Sequence, residues 1–375
     1  MSPADAVSLT RDLVRYQTVN PPGSERDCAR FAGRLLEQWG FTVEYHEYAE
    51  ARASVIARAG GSDARPPLCL TGHLDVVPLG ARAWTKDPFA GETDGDRLYG
   101  RGTSDMKAGV AAMLAAARAF AGKLAGTPGI VLVLTAGEEG GCIGSEHLAR
   151  LPDLMGKAGA IVVGEPTSNY PLVGHKGSVK FYAQFRGVSA HGSMPHLGVN
   201  AVYKAARAVA RLEGFDFGVA PHPVMGAPTL NVGTFEGGAG VNLVPDAARI
   251  GVDIRTVPGM DHAALLARLK SLMGEEAELE VFSDLPAVWT EPDKEWVRRV
   301  FEICRPVLGE APEPRTAPYM TDAANLLKVY RGAPAIVLGP GEAAMAHQTD
   351  EYCSTERIRQ AVALYEAIIR DWCAA

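Results

Sequence analysis

LCLTGHLDVVPLGARAWTKDPFAGETDGDRLYGRGTSDMK, residues 68–107, decides how this chain folds. Its opening is a short, largely apolar run of the kind that forms a strand buried on both faces of a parallel sheet. The run leads straight into His73 and Asp75. Residues two apart in extended chain point to the same side, so an imidazole and a carboxylate are presented together at a strand end. The chain then loops through Trp84, Asp87 and Pro88 and returns in Gly100-Arg101-Gly102. That turn displays Asp105 at the start of a helix predicted over 106–120. By itself, His-x-Asp also fits an exposed pair at a strand end. Beside a metal, the carboxylate would take the second ring N–H and fix the tautomer.

Working outward, residues 4–16 and 24–39 alternate at helical spacing, broken by Asn20-Pro21-Pro22-Gly23. Strands are predicted at 41–47 and 54–58. Residues 130–135 form a continuous apolar strand running into Ala136-Gly137-Glu138-Glu139. A short helix follows near 145–151, and a strand at 160–164 ends in Glu165-Pro166-Thr167. Strands alternating with helices imply a mostly parallel α/β sheet, whose ligand site lies beyond the carboxyl ends of its strands. His73, Asp75, Glu138, Glu139 and Glu165 all sit just past such an end.

The pattern changes after Gly174. A strand at 178–185, a helix at 199–212, strands at 229–235 and 248–257, a helix at 261–273 and a strand at 276–282 follow in turn. That order is the β-α-β-β-α-β of a ferredoxin-like α+β unit. Helices at 294–308 and 321–330, a strand at 334–338 and a final helix capped by Ser354 return to α/β material. The predicted organisation is a catalytic domain in two parts, 1–175 and 288–375, around an inserted domain, 176–287. The connections at 174–176 and 285–290 would permit hinge motion.

The 375 residues suffice for such a two-domain chain, and 47% hydrophobic with 22% charged residues is ordinary for a globular protein. A net charge of −7 and a pI near 5.8 give no electrostatic case for nucleic acid or an anionic membrane. The longest apolar helical run, 108–117, is too short to span a bilayer. The six cysteines show no C-x-x-C and are expected to be free thiols in a reducing compartment. The first residues carry charges and no apolar h-region, so no signal peptide and a cytoplasmic location are expected.

Three catalytic styles can be weighed. A G-x-S-x-G elbow is lacking, as are a P-loop and a G-x-G-x-x-G. Metal chemistry is well supplied. In Glu138-Glu139, adjacent side chains point in different directions, so one carboxylate can bind metal while its neighbour faces a water. Alone, the pair would equally be a solvated acidic turn, Glu165 a cap before Pro166, and His347 a solvated loop residue. Together, two imidazoles and strand-end carboxylates form a mixed N/O set that suits zinc, cobalt or manganese.

Six stretches carry a resemblance that covers nearly the whole chain. They are Thr71-Gly72-His73-Leu74-Asp75-Val76-Val77-Pro78, Leu98-Tyr99-Gly100-Arg101-Gly102-Thr103-Ser104-Asp105-Met106-Lys107, Ala136-Gly137-Glu138-Glu139-Gly140, Gly164-Glu165-Pro166-Thr167, Ser189-Ala190-His191-Gly192-Ser193 and Ala346-His347-Gln348-Thr349-Asp350-Glu351. In this order they resemble the co-catalytic dinuclear zinc amidohydrolases and peptidases, the family of acetylornithine deacetylase, succinyl-diaminopimelate desuccinylase, aminoacylase and glutamate carboxypeptidase. The resemblance implies a metallopeptidase-type catalytic domain with an inserted lid and dimerisation domain. It implies that Asp105 bridges two divalent ions, His73 and Glu165 completing one site and Glu139 and His347 the other. Glu138 would be the general base and Asp75 would orient His73. His191 would reach a partner subunit's active site in a homodimer and donate to the carbonyl oxyanion. Asn242 matches a further family position, and Arg255 is a candidate clamp for a substrate carboxylate, or else a surface charge.

The expected reaction is cleavage of an N-acyl amino acid or short peptide next to a free carboxylate. Ala317-Pro318-Tyr319-Met320-Thr321-Asp322-Ala323 and Leu338-Gly339-Pro340-Gly341 look most like acetylornithine deacetylase. The alternatives are a dipeptidase or carboxypeptidase, a succinyl-diaminopimelate desuccinylase, and a binding homologue without turnover.

Overall fold

A computed structural model describes residues 5–62 and 65–374; Ala4, at the start of the first predicted helix, lies outside them. The elements run α1 (Ala6–Val14), α2 (Arg26–Gln38), β1 (Thr42–Ala49), β2 (Arg52–Ala59), β3 (Leu68–His73), β4 (Thr93–Asp94), β5 (Arg97–Tyr99), α3 (Ala108–Ala119), β6 (Ile130–Thr135), α4 (Ile143–Ala149), α5 (Pro152–Met155), β7 (Ala160–Val163) and β8 (Gly174–His175). Then come β9 (Gly177–Arg186), α6 (Ala201–Leu212), β10 (Thr229–Gly237), β11 (Ala247–Thr256), α7 (His262–Met273), β12 (Glu278–Leu285) and β13 (Val288–Trp289). The chain closes with α8 (Glu295–Leu308), α9 (Ala323–Val329), β14 (Ala335–Val337), β15 (Tyr352–Ser354) and α10 (Thr355–Cys373). Two compact units result: Met1–Gly174 with Trp289–Ala375, and His175–Val288.

The first unit is a mixed α/β fold on a six-stranded sheet ordered β1-β2-β6-β3-β7-β14. β6, β3, β7 and β14 are mutually parallel, and the antiparallel β1–β2 hairpin closes one side. β3, β6 and β7 are buried along their whole length, as their continuous apolar sequences require. Leu68, Leu70, Leu132, Leu134 and Val162 pack there with Leu13, Leu36, Val110, Met113, Val300, Leu364 and Ile368 from the helices. α3 comes close because its residues are small: a Cβ on Gly109 would stand 2.1 Å from the Gly164 carbonyl oxygen. α10 starts where Ser354 accepts the Arg357 N–H.

α3 begins two residues later than its apolar run suggests. Asp105 (φ −124°, ψ 93°) and Met106 (φ −134°, ψ 30°) are not helical. The chain is instead drawn toward β3, where Met106 Sδ lies 3.2 Å from the His73 backbone N. Lys107, fully buried, then donates to the Leu13 and Tyr16 carbonyls at 3.0 and 2.7 Å and closes the end of α1.

The second unit has the order β9-α6-β10-β11-α7-β12 and a sheet arranged β10-β11-β9-β12, all antiparallel. Burial alternates along β11 and most of β9. Val179, Phe181, Phe185, Ile250, Val252 and Ile254 pack with Ala205, Ala208, Leu265 and Leu269 of α6 and α7 into a separate core. All six cysteines are free. Among the described residues, no helix is long and apolar enough to cross a membrane.

Candidate metal centre

His73 ends β3, Glu138 and Glu139 follow β6, and Glu165 follows β7, so three adjacent parallel strands deliver their side chains to one edge of the sheet. Asp105 arrives from the kinked turn before α3, and His347 from a loop where its own φ is +64°. Asp105 stands between the two imidazoles: Oδ1 is 3.0 Å from His73 Nε2, and Oδ2 is 3.4 Å from His347 Nε2. Glu165 Oε1 lies 3.7 Å from His73 Nε2, and Glu139 Oε2 lies 3.1 Å from His347 Nε2. Donor atoms of His73, Asp105 and Glu139 lie within 4.8 Å of one another, as do those of His73, Glu138 and Glu165.

The electrostatics follow from packing so many acids at one place. Burial pushes the Glu138 and Glu165 carboxyls well above the usual carboxylate range, and it raises Glu139 as well. Burial also works against the charged form of His73, yet Glu165 and Asp105 hold that ring protonated well above its ordinary range. Hydrogen bonds with Asp105 and Glu139 push His347 up to about 10. Loss of solvation works against the Asp105 carboxylate as well, but its contacts with His347 and His73 keep its carboxyl below the usual range. In these pairs the imidazoles take the part of a cation. The donor set is nitrogen and carboxylate oxygen, which suits a borderline or hard divalent metal. The nearby thiol of Cys142 is held neutral by burial and by Glu138, and it lies 3.4 Å from Glu138 Oε1 as a weak donor.

His73 Nδ1 meets the backbone carbonyl of Asp75 at 2.9 Å, while the Asp75 carboxylate stands farther off, at 3.6 Å. The carbonyl, rather than the expected carboxylate, therefore takes the second ring nitrogen. Two further supports have no role assigned from the sequence, although Glu351 closes the motif stretch 346–351. Glu351, fully buried, accepts the backbone N–H groups of Ser104 and Asp105 on one oxygen (2.8 and 3.0 Å). Its other oxygen takes the Gly102 N–H and Arg101 Nη1 (3.0 and 2.6 Å). Arg101 also donates to the Gln348 carbonyl, next to His347, at 3.2 Å. The second support is Asn20, whose amide donates to Asp75 Oδ2 at 2.8 Å.

Residues 69–371 match peptidase family M20/M25/M40. The chain belongs to that family. Among relatives, this M20 chain is 33% identical over 365 residues to an acetylornithine deacetylase of Myxococcus xanthus, covering 92% of this chain and 91% of that one. It is also 33% identical over 390 residues to a succinyl-diaminopimelate desuccinylase of Cereibacter sphaeroides, covering 99% of each. Its fold is similar to that of the aminopeptidase PepT from Bacillus cereus (TM-score 0.78, 22% identity, 99% of each chain). It is similar as well to an M20 family metallo-carboxypeptidase from Sulfolobus solfataricus (TM-score 0.79, 18% identity, 98% of each chain).

The remaining candidates belong to the second unit. His191 is exposed, with Nδ1 2.8 Å from Ser193 Oγ. Its backbone bridges Leu243, and the Asn242 carbonyl accepts the Gly192 N–H at 2.7 Å, so His191 and Asn242 share one loop pair. Arg255 already grips a carboxylate, Asp253 of the same strand, at 2.9 and 3.0 Å. As a substrate clamp it would have to exchange that partner.

Proposed function

We propose that this M20 family member hydrolyses the amide bond of an N-acyl amino acid, as an acetylornithine-deacetylase-like deacylase. The observation that carries the reading is Asp105 set between His73 and His347, with Glu138 half-buried beside them. His73, Asp105 and Glu165 would hold one divalent cation, and Asp105, Glu139 and His347 a second, zinc being preferred over cobalt or manganese. When bound, the cations supply Lewis acidity that polarises the amide carbonyl and acidifies water. Glu138 would take the proton of the attacking water and pass it to the departing amine. Burial raises this carboxyl, which makes it a stronger acceptor for the water's proton than an exposed glutamate. Asp75 supports the site through its backbone contact with His73 and its carboxylate contacts with the Glu138–Glu139 turn. The inserted unit would act as lid and dimerisation surface, with His191 donating to the oxyanion in a partner subunit's site. The exposure of His191 supports that role. Asn242 and Arg255 are the proposed substrate contacts.

The relative named succinyl-diaminopimelate desuccinylase, aligned over 99% of the chain, favours a second reading in which the acyl group is succinyl. The test is hydrolysis, with and without chelator, of N-acetylornithine, other N-acetyl amino acids, N-succinyl-diaminopimelate and dipeptides. Chelator-sensitive cleavage of N-acetyl amino acids above the rest is expected. Preference for the succinyl substrate selects the second reading, and cleavage of dipeptides alone moves the chain to the peptidases. No cleavage with cations bound overturns catalysis. Sedimentation showing a fully active monomer would overturn the role of His191.

A further inference from the structure

We infer that Asn20 is a positioning residue: its side-chain amide and the Asp75 carboxylate form a clamp that sets the directions of Glu138 and Glu139 together. The inference rests on the function proposed above for those two glutamates. The Asp75 carboxylate is wholly buried and receives two consecutive backbone N–H groups, Glu138 on Oδ1 and Glu139 on Oδ2, both at 3.1 Å. Two oxygens of one carboxylate holding neighbouring N–H groups leave the turn little freedom to rotate. The side chains it carries serve different places. Glu138 belongs with His73 and Glu165, whereas Glu139 meets His347. A single rotation of the turn would therefore displace the base and a ligand at once.

Asn20 is what holds the carboxylate. Its Nδ2 lies 2.8 Å from Asp75 Oδ2, and a Cβ on Gly140 would stand only 3.1 Å from the same nitrogen, so the amide wedges between Asp75 and the turn. The opposite amide orientation would set oxygen against oxygen. Asn20 is itself fixed. Its N–H donates to the Val76 carbonyl at 2.8 Å, and the Val76 N–H returns to Thr18 at 3.0 Å. Thr18 Oγ1 donates to the Leu74 carbonyl at 2.6 Å. Residues 18–20 thus run as a short ladder beside 74–76, upstream of which Lys107 ties down Tyr16.

The test compares Asn20→Ala and Asn20→Asp with the unaltered chain. Backbone exchange of the 136–142 segment is followed by hydrogen–deuterium mass spectrometry, and zinc affinity by chelator competition. The Asp variant keeps the shape of asparagine but sets a carboxylate against Asp75, so it should be the more damaged. In both, the Glu138 and Glu139 amides should exchange faster while distant segments do not. Zinc affinity and kcat should each fall about 10- to 100-fold, with KM changed less than about twofold. If Asn20→Ala does not fold, Asn20→Ser keeps a shorter donor and should fall between the unaltered chain and Asn20→Asp. Unchanged exchange and zinc affinity in Asn20→Asp would overturn the clamp, whatever the activity. An unaltered chain that cleaves no amide would overturn the proposed function instead, and exchange and affinity would still decide the clamp.

Discussion

Loading the metal centre should expel protons, and the contacts of the two imidazoles say how many. His347 sits 3.4 Å from Asp105 and 3.1 Å from Glu139, which hold its proton up to about pH 10. His73 loses solvation by burial but is held protonated by Glu165 and Asp105. His347 therefore carries an extra proton at pH 7 in the metal-free protein, and the charged form of His73 is favoured in the same way. An imidazole binds metal only in its neutral form, so each ring must give one proton up. Glu138, raised by burial, can add another. The expected release at pH 7 is about two to three protons per chain. Calorimetric titration with zinc in two buffers of different ionisation enthalpy counts them directly. The sign is fixed by linkage: raising pH removes the competing protons, so affinity climbs about tenfold per pH unit for each proton displaced. For His347 that climb ends near its own value of about 10. His347→Ala should lower the count by about one. A release below about one proton would refute the reasoning, because the rings would then be neutral before loading.

Glu138→Gln should lower kcat by about 10²- to 10⁴-fold while elemental analysis finds the cation content unchanged; lost cations would make Glu138 a ligand instead. His175 is buried, and burial lowers its pKa to about 4. As pH falls from about 6.5, the unfolded chain binds this proton first, so stability should drop by up to about 3 kcal/mol by pH 4. Urea unfolding across that window should show the slope, and His175→Asn should remove it. Gly109→Ala would place a methyl 2.1 Å from the Gly164 carbonyl oxygen. It should cost about 1–3 kcal/mol in calorimetry; an unchanged midpoint would mean that α3 can back away from β7.

The residues legible in the sequence were those whose place is set by one strand. His73, Glu138, Glu139 and Glu165 could be grouped because an apolar run announces a parallel strand, and such strands end on a common edge. Asp105 and His347 were harder. Both come from irregular chain: the Gly-rich turn and the loop after Gly339-Pro340-Gly341 make them candidates, and only motif resemblance gives them roles. What stayed hidden was the support beneath them. Glu351 is separated by 246 residues from the Asp105 N–H it accepts, and Asn20 by 55 from Asp75. Asn20-Pro21-Pro22 reads locally as a helix break, and nothing in that reading says which carboxylate its amide will meet. The start of α3 departs from its apolar spacing for a related reason. Apolar spacing continues through Met106, but the backbone there is bent out of the helix.

Those supports also explain how so many acids can share one buried place. Two kinds of carboxylate are present, and they differ in what occupies their oxygens. Asp75 and Glu351 are supplied with N–H groups: Glu138, Glu139 and Asn20 for the first, Gly102, Ser104, Asp105 and Arg101 for the second. Their oxygens are occupied in holding backbone N–H groups, the Asn20 amide and Arg101, as buried polar groups must be, although burial still pushes Glu351 up to about 7. Glu138, Glu139, Asp105 and Glu165 instead face one another and the two imidazoles, and burial drives the three glutamates toward their protonated forms. Such an arrangement opposes folding unless positive charge arrives. Protons on His73 and His347 are a partial answer, and divalent cations a fuller one. The backbone anchors keep the acids from turning outward to water in the meantime. The affinity of the centre should therefore depend on Asp75 and Glu351 as well as on the ligands, although neither carboxylate would touch a cation.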